Sequence, residues 1–271
     1  MELADMAGRP GTAVNDIYLA IRDRIIGGDY PPGLRLSQQQ LAEELRVSRT
    51  PLREALQKLE VEGLVIGQAN RGMEVAPVAL SDVENSYALR LMVEPVTVAA
   101  IVARVTESDV AAMADALAEM ERPSISIHEF QEAHWRFHRA LLDRYPEAFT
   151  DLIRTLHTRI YRHQRLYFSR PVALADFTRL DQVFLDALRD HDGARAKQVL
   201  EFHLLDAALG LVRDVDPTYA FDALPVTLDG LEIEVDGLAR PDHGGPVDIR
   251  WRRANAASLP ALETANLRYR A

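Results

Sequence analysis

The stretch SQQQLAEELRVSRTPLREALQKLEVEG, Ser37 to Gly63, reads as two short helices with almost nothing between them. Ser37 suits the N-cap of QQQLAEEL, and Gln40 stands three residues on, at the capping-box position. Arg46-Val47 leaves room only for a tight turn. Ser48 then caps a second helix with Pro51 in its first turn, where a missing N–H costs nothing. That helix puts Leu52, Ala55, Leu56 and Leu59 on one apolar stripe and stops at Gly63.

The flanks fit the same plan. From Val14 to Gly27, the residues Val14, Ile17, Tyr18, Ile21, Ile25 and Ile26 form a helical stripe that ends in glycines. Pro31-Pro32-Gly33 breaks the chain, and Leu34 and Leu36 read as a short extended piece. Leu64–Ile66 and Met73–Val75 read as two strands around the tip Gln68-Ala69-Asn70-Arg71-Gly72. Helix, helix, turn, helix and a two-stranded wing are the parts of a winged helix-turn-helix.

Beyond Pro77 the pattern is helical, with segments near 81–104, 106–121, 126–145, 147–169, 175–190 and 193–213. Short connections imply an antiparallel bundle. From Asp214 the character changes: Asp229-Gly230 between VTL and LEIEV is a hairpin signal, and Val247-Ile249-Trp251 alternates like a strand. The expected organisation is a flexible N-terminus at 1–13, a winged helix-turn-helix at 14–78, a helical bundle at 79–213, and a small β-rich or disordered tail at 214–271. The fold class is therefore mainly α.

The chain has no cysteine, so disulfides and cysteine zinc fingers are excluded and a cytoplasmic setting is expected. MELADMAGRPG has neither a basic nor an apolar leader region, and no apolar run approaches the roughly 18 residues of a membrane span, so no membrane partner is expected. The net charge of −10 argues against indiscriminate binding to polyanions. It leaves room for one locally basic reader, and Arg46, Arg49, Arg53 and Lys58 against Glu54 supply one.

Arginine contacts phosphates or grips guanine O6 and N7 bidentately, and the hydroxyls of Ser48 and Thr50 at a helix N-terminus can hold a phosphate. Arg71 at the wing tip suits a minor groove. By charge alone this would be an ordinary solvated helix face. The order of the pieces and the string VSRTPLREAL…LEVEGLV add to that: residues 14–77 resemble the DNA-binding domain of the GntR transcription regulators. The resemblance implies Arg49 and Arg53 as main DNA contacts, supported by Ser48 and Thr50, with Gly72 at the wing. Many members carry an arginine in the first turn of the second helix, where this chain has Gln39.

The strings YALRLMVEP, FHRALLD and LDALRDHDGARAKQVLEFHLL, within residues 80–213, resemble the FCD ligand-binding domain of the family's FadR branch. Metal-binding members carry an aspartate and, four residues later, a histidine on one helix, then one histidine on each of two later helices. Here His138 and His203 match the first and last histidines, while His134 stands at the aspartate position and Asp181 at the intermediate histidine position. The resemblance thus implies an exchanged set of three imidazoles and one carboxylate. Such donors suit zinc, nickel, cobalt or manganese better than calcium or magnesium. The alternative is a metal-free pocket, or a simple packed histidine pair. Arg90 by resemblance binds an organic acid's carboxylate, or else pairs with Glu94 four residues on. Arg159, Tyr161 and Arg165 are weaker candidates.

The expected function is a metabolite-responsive regulator, a repressor by resemblance, that binds a palindromic double-stranded operator as a homodimer and senses a small organic acid. Two other readings stay open: a metal-dependent enzyme, for which no general acid or base with a supporting motif is found, and a DNA-binding dimer whose bundle is purely structural.

Overall fold

The computed structural model describes residues 10–68, 72–77, 79–168, 171–238, 245–253 and 259–270. Arg71, His243 and the side chains of Ile26, His163 and Arg165 lie outside the described residues. The chain forms two compact units, Met1–Ala79 and Leu80–Ala271.

The first unit runs α1 (Pro10–Gly27), β1 (Arg35–Leu36), α2 (Gln38–Glu44), α3 (Arg49–Val61), β2 (Val65–Gln68) and β3 (Gly72–Val75). Its core is the sequence's apolar stripes brought together: Ile17, Ile21 and Ile25 of α1 meet Leu52, Leu56 and Leu59 of α3 and Leu41 of α2. The strands lie in the order β1-β3-β2, all antiparallel, with Leu36 opposite Met73 and Gln68 opposite Gly72. Gly72 enters β3 at φ +85°, a conformation that a side chain would strain.

The caps differ in detail from their sequence reading. The Ser37 hydroxyl accepts from the Gln40 backbone N–H as expected. Ser48 occupies the N-cap position with extended backbone, yet its hydroxyl makes no capping bond. Arg46, in the turn between α2 and α3, adopts φ 54°, where glycine would be favoured.

The second unit contains α4 (Leu80–Ile101), α5 (Glu107–Met120), α6 (Ile127–Arg139), α7 (Glu147–Phe168), α8 (Pro171–Arg189) and α9 (Gly193–Arg213). Short 3-10 turns continue α4 at Val102–Arg104 and follow α6 at Leu142–Arg144. Thr106 and Ser126 each open their helix with a complete capping box. α9 is buried almost all round, which makes it the central helix, and it packs most extensively on α4. At its start a Cβ on Gly193 would come within 2.9 Å of the Ala99 carbonyl oxygen, so the helices approach there as only glycine allows. Contrary to the expectation that no segment is apolar enough, α4 with its continuation is long and apolar enough to cross a membrane by composition. Most of that window is buried in the unit, which is the burial of a central core helix.

The C-terminal segment folds as α10 (Ala223–Gly230), β4 (Ile233–Val235), β5 (Val247–Trp251), β6 (Leu262–Glu263) and β7 (Leu267–Tyr269). Its sheet has the order β4-β5-β7-β6, with β5 and β7 parallel and the outer pairs antiparallel. The hairpin expected at Asp229-Gly230 does not form: VTL is helical, and Gly230 ends α10. Leu224, Thr227 and Leu228 recur at helical spacing on its buried side, and that face against α4 overrides the two-residue turn signal. Leu224, Leu228, Ile249, Leu262 and Leu267 join the same hydrophobic core as the helices. Buried bundle carboxylates anchor the segment. Glu84 accepts from the Tyr219 hydroxyl (2.9 Å) and the backbone N–H groups of Asp222 and Leu224 (2.7 and 2.8 Å). Glu201 accepts from the Trp251 indole (2.7 Å) and both terminal nitrogens of Arg253 (2.9 and 2.6 Å).

Candidate metal centre

The string QEAHWRFH lies on α6, opened by the Ser126–Glu129 capping box. Phe130, Ala133 and Phe137 form its buried stripe. His134 and His138, four residues apart, share a neighbouring face, as helical geometry requires. Trp135 points elsewhere and stacks on His157, with ring centroids 3.8 Å apart, so it is a packing residue.

Asp181 of α8 and His203 of α9 reach the same point. His134 Nε2 and His138 Nε2 are 3.1 Å apart, and lie 3.6 and 3.5 Å from the Asp181 carboxylate. His203 Nδ1 is 3.7 Å from it. One donor atom from each of the four residues lies within 4.8 Å of all the others. Donors about 2.1 Å from a divalent transition ion stand about 3.0–3.4 Å from their neighbours. The observed separations therefore need only slight closure to hold one ion.

The electrostatics point the same way. Both Asp181 oxygens and His203 Nδ1 are buried with no hydrogen-bond partner among the described residues. Such groups are rare in a folded protein unless something else satisfies them. Burial pushes the Asp181 carboxyl well above the usual range. Burial also holds His134 and His138 well below theirs, helped by the neighbouring imidazoles and Arg90, and lowers His203 to about 3, again with help from Arg90. Neutral imidazoles keep their lone pairs free, and a buried carboxylate calls for a cation. The donor set fits a divalent transition ion.

Arg90 of α4 is buried and pairs through Nε with Glu94, so the i,i+4 ion pair forms. It also lies within electrostatic reach of all three histidines, and its guanidinium sits over the Tyr87 ring, 5.3 Å from the centroid. The two readings of Arg90 are thus compatible in one place. Arg159 is exposed, and Tyr161 donates its hydroxyl to Glu132. Glu84, Glu201 and Asp206 escaped the sequence reading, because a carboxylate on an apolar helix shows no sign of the distant partner that lets it be buried.

In the first unit, Ser48, Arg49, Thr50 and Arg53 are all exposed at the start of α3, opposite buried Leu52, Ala55, Leu56 and Leu59. Arg49 and Arg53 lie one turn apart and have no ion-pair partner among the described residues. Gln39 is exposed on α2 and donates to Glu43 (3.2 Å).

A winged helix with an exposed basic face, in one chain with a helical bundle that holds a buried donor cluster, is the architecture of a DNA-binding protein with a sensing or structural bundle. Comparison with known proteins gives the family. Residues 13–75 match the bacterial regulatory proteins of the gntR family, and residues 85–206 match the FCD domain. An uncharacterised HTH-type regulator from an unstable DNA locus of Streptomyces ambofaciens is 30% identical, over 74% of this chain and 85% of its own. The galactonate operon transcriptional repressor of Escherichia coli K12 is 29% identical, over 67% of this chain and 89% of its own. The match to the regulator YdhC of Bacillus subtilis, at 29% identity, spans only 58% of that protein. A solved GntR regulator from Rhodococcus sp. RHA1 superposes with a TM-score of 0.59 at 27% identity, covering 73% of this chain and 97% of its own. The chain belongs to the GntR family and carries an FCD domain. These domains and relatives are those of transcription regulators, not enzymes.

Proposed function

We propose that the chain is a cytoplasmic repressor that binds a palindromic operator as a homodimer and releases it when a small organic acid occupies a metal-containing pocket in the bundle. The carrying observation is the buried set His134, His138, Asp181 and His203, with orphaned donor atoms beside a buried arginine. Those four side chains would hold the ion, with zinc the first choice for three nitrogens and one carboxylate. A bound divalent ion supplies open coordination positions for a carboxylate. Arg90 adds a fixed positive charge near the same point, and Glu94 holds its fork in place. The relative named for the galactonate operon makes sugar acids the first effectors to try.

On the DNA side, Arg49 and Arg53 read bases or grip phosphates, Ser48 and Thr50 hold a phosphate at the α3 N-terminus, and Gln39 and the wing at Gly72 flank them. Arg71, outside the described residues, stands between β2 and β3 in the sequence and is a further candidate DNA contact. One such unit reads only a few base pairs, so a two-fold dimer on a palindrome is the economical solution. The exposed stripe Leu89, Met92 and Val96 on α4 supports a second copy as partner. The acid acts only through unequal affinity for DNA-competent and DNA-incompetent states.

The test is fluorescence anisotropy on an operator duplex selected from random DNA, with zinc-loaded protein and a panel of organic acids including galactonate. Loss of operator affinity on adding an acid, from a protein that is dimeric by light scattering, is expected. Operator affinity indifferent to every acid would leave the bundle a structural module and overturn the sensing role.

A further inference from the structure

Asp206 stands one helical turn beyond His203 on α9 and is fully buried. Its Oδ1 accepts from the Thr264 hydroxyl and from Asn266 Nδ2 (3.3 Å), both in the C-terminal segment. Its Oδ2 is buried and has no partner among the described residues. The Thr264–Asn266 turn is itself pinned: Thr264 Oγ1 accepts from the Leu267 N–H (3.0 Å), and the Ala265 N–H donates to Asp176 of α8 (3.0 Å). The carboxylate is therefore clamped through one oxygen, and the other faces no donor among the described residues.

Tyr87 links Asp206 toward the proposed metal centre. Asp206 lies within electrostatic reach of Tyr87, whose hydroxyl accepts from Gln164 (3.1 Å) and has its own proton to give. Tyr87 carries Arg90 over its ring, and Arg90 in turn is felt by His134, His138 and His203. Asp206 is thus one turn from His203 on α9 and within electrostatic reach of Tyr87, the ring that carries Arg90. On a small organic acid, the donors that could face Oδ2 are a hydroxyl and an ammonium group. A buried ammonium would be repelled by Arg90 and by a divalent ion, whereas a neutral hydroxyl is not.

We propose that Asp206 is an effector-binding residue that accepts a hydrogen bond from a hydroxyl of a hydroxylated carboxylate, and that Thr264 and Asn266 position it. The C-terminal segment thereby completes the effector site and selects hydroxy acids over plain fatty acids. This rests on the metal-and-carboxylate reading above.

The experiment is isothermal titration of the zinc-loaded full chain with gluconate and with hexanoate, six-carbon acids with and without hydroxyls. At about pH 8, above the value of about 7 to which burial raises the Asp206 carboxyl, wild type is expected to prefer gluconate by roughly tenfold or more, the range of a hydrogen bond to a charged group. In Asp206→Asn the two clamping donors hold the amide oxygen in place of Oδ1, so the acceptor facing the ligand becomes a donor. The preference is then expected to vanish, with hexanoate affinity and zinc content unchanged. Thr264→Val, which loosens the clamp from the other side, is expected to reduce the preference and serves alone if circular dichroism shows Asp206→Asn unfolded. An undiminished preference in the folded variants, or none in wild type, would overturn the assignment and leave Oδ2 to a fixed water. Hexanoate binding reports on the carboxylate reading by itself; if neither acid binds the zinc-loaded chain, that reading fails and this one falls with it.

Discussion

Replacing Asp181 by leucine is expected to move the metal-free and zinc-loaded proteins in opposite directions. Without metal, both carboxylate oxygens are buried without a hydrogen-bond partner among the described residues, and the nearest imidazole nitrogens are 3.5–3.7 Å away. Leaving a buried polar group unsatisfied costs about 1–3 kcal/mol. Leucine has the same branched skeleton, though bulkier, and removes that cost, so the metal-free variant is expected to gain up to about 1–3 kcal/mol over wild type. For a unit as long as Leu80–Ala271, each kcal/mol shifts the melting midpoint by about 2–4 °C. With zinc at about a hundredfold its dissociation constant, wild type gains about 2.7 kcal/mol, or about 5–11 °C. The variant, with three neutral donors and no anion, loses most of that response. Scanning calorimetry on chelator-treated and zinc-supplemented protein reads both effects. A variant that is less stable than wild type without metal, or that keeps the full zinc response, would refute the reasoning about the orphaned carboxylate.

Two further outcomes follow from other parts of the molecule. Arg49→Ala and Arg53→Ala are each expected to weaken binding to the selected operator by about 1–3 kcal/mol if the side chain reads a base, and less, with a shallower salt dependence, if it holds a phosphate; unchanged affinity in anisotropy titrations would remove them from the interface. Asp109 is partly desolvated, but hydrogen bonds from Arg144 and from both the hydroxyl and N–H of Thr106 outweigh that and hold its carboxyl below the usual range. A depressed folded pKa contributes stability present above the unfolded value near 3.8 and lost as pH falls through the folded one. Asp109→Asn is therefore expected to cost about 1 kcal/mol at neutral pH, with the difference shrinking as pH falls below that value; a pH-independent difference in urea melts would contradict this.

The winged unit was legible because its signals are local and agree with one another: Ser37 at an N-cap, Pro51 in a first turn, Gly63 at a helix end and a leucine stripe at helical spacing all fall within one short stretch. The four-residue spacing of His134 and His138 was equally local. Asp181 and His203 could be joined to that pair only through the family frame, since nothing in a linear sequence states that α8 and α9 pass the same point. The C-terminal segment failed on a competition between levels. Asp229-Gly230 is a strong two-residue turn signal, but Leu224, Thr227 and Leu228 find an apolar face on α4, and burial outweighs turn preference.

The exchange of His134 with Asp181 has a physical consequence beyond ligand count. With aspartate on α6, the anion would sit one turn from His138 on the same helix. Here it comes from α8 and lies 3.5–3.7 Å from all three imidazoles, which come from α6 and α9. Bringing an unpartnered carboxyl between two other helices costs stability in the metal-free bundle, and an ion recovers that cost only when α6, α8 and α9 close on it together. An ion held by this set would couple its occupancy to the packing of three helices rather than to the local order of one. Asp206, one turn beyond His203, places the C-terminal segment in contact with the same helix.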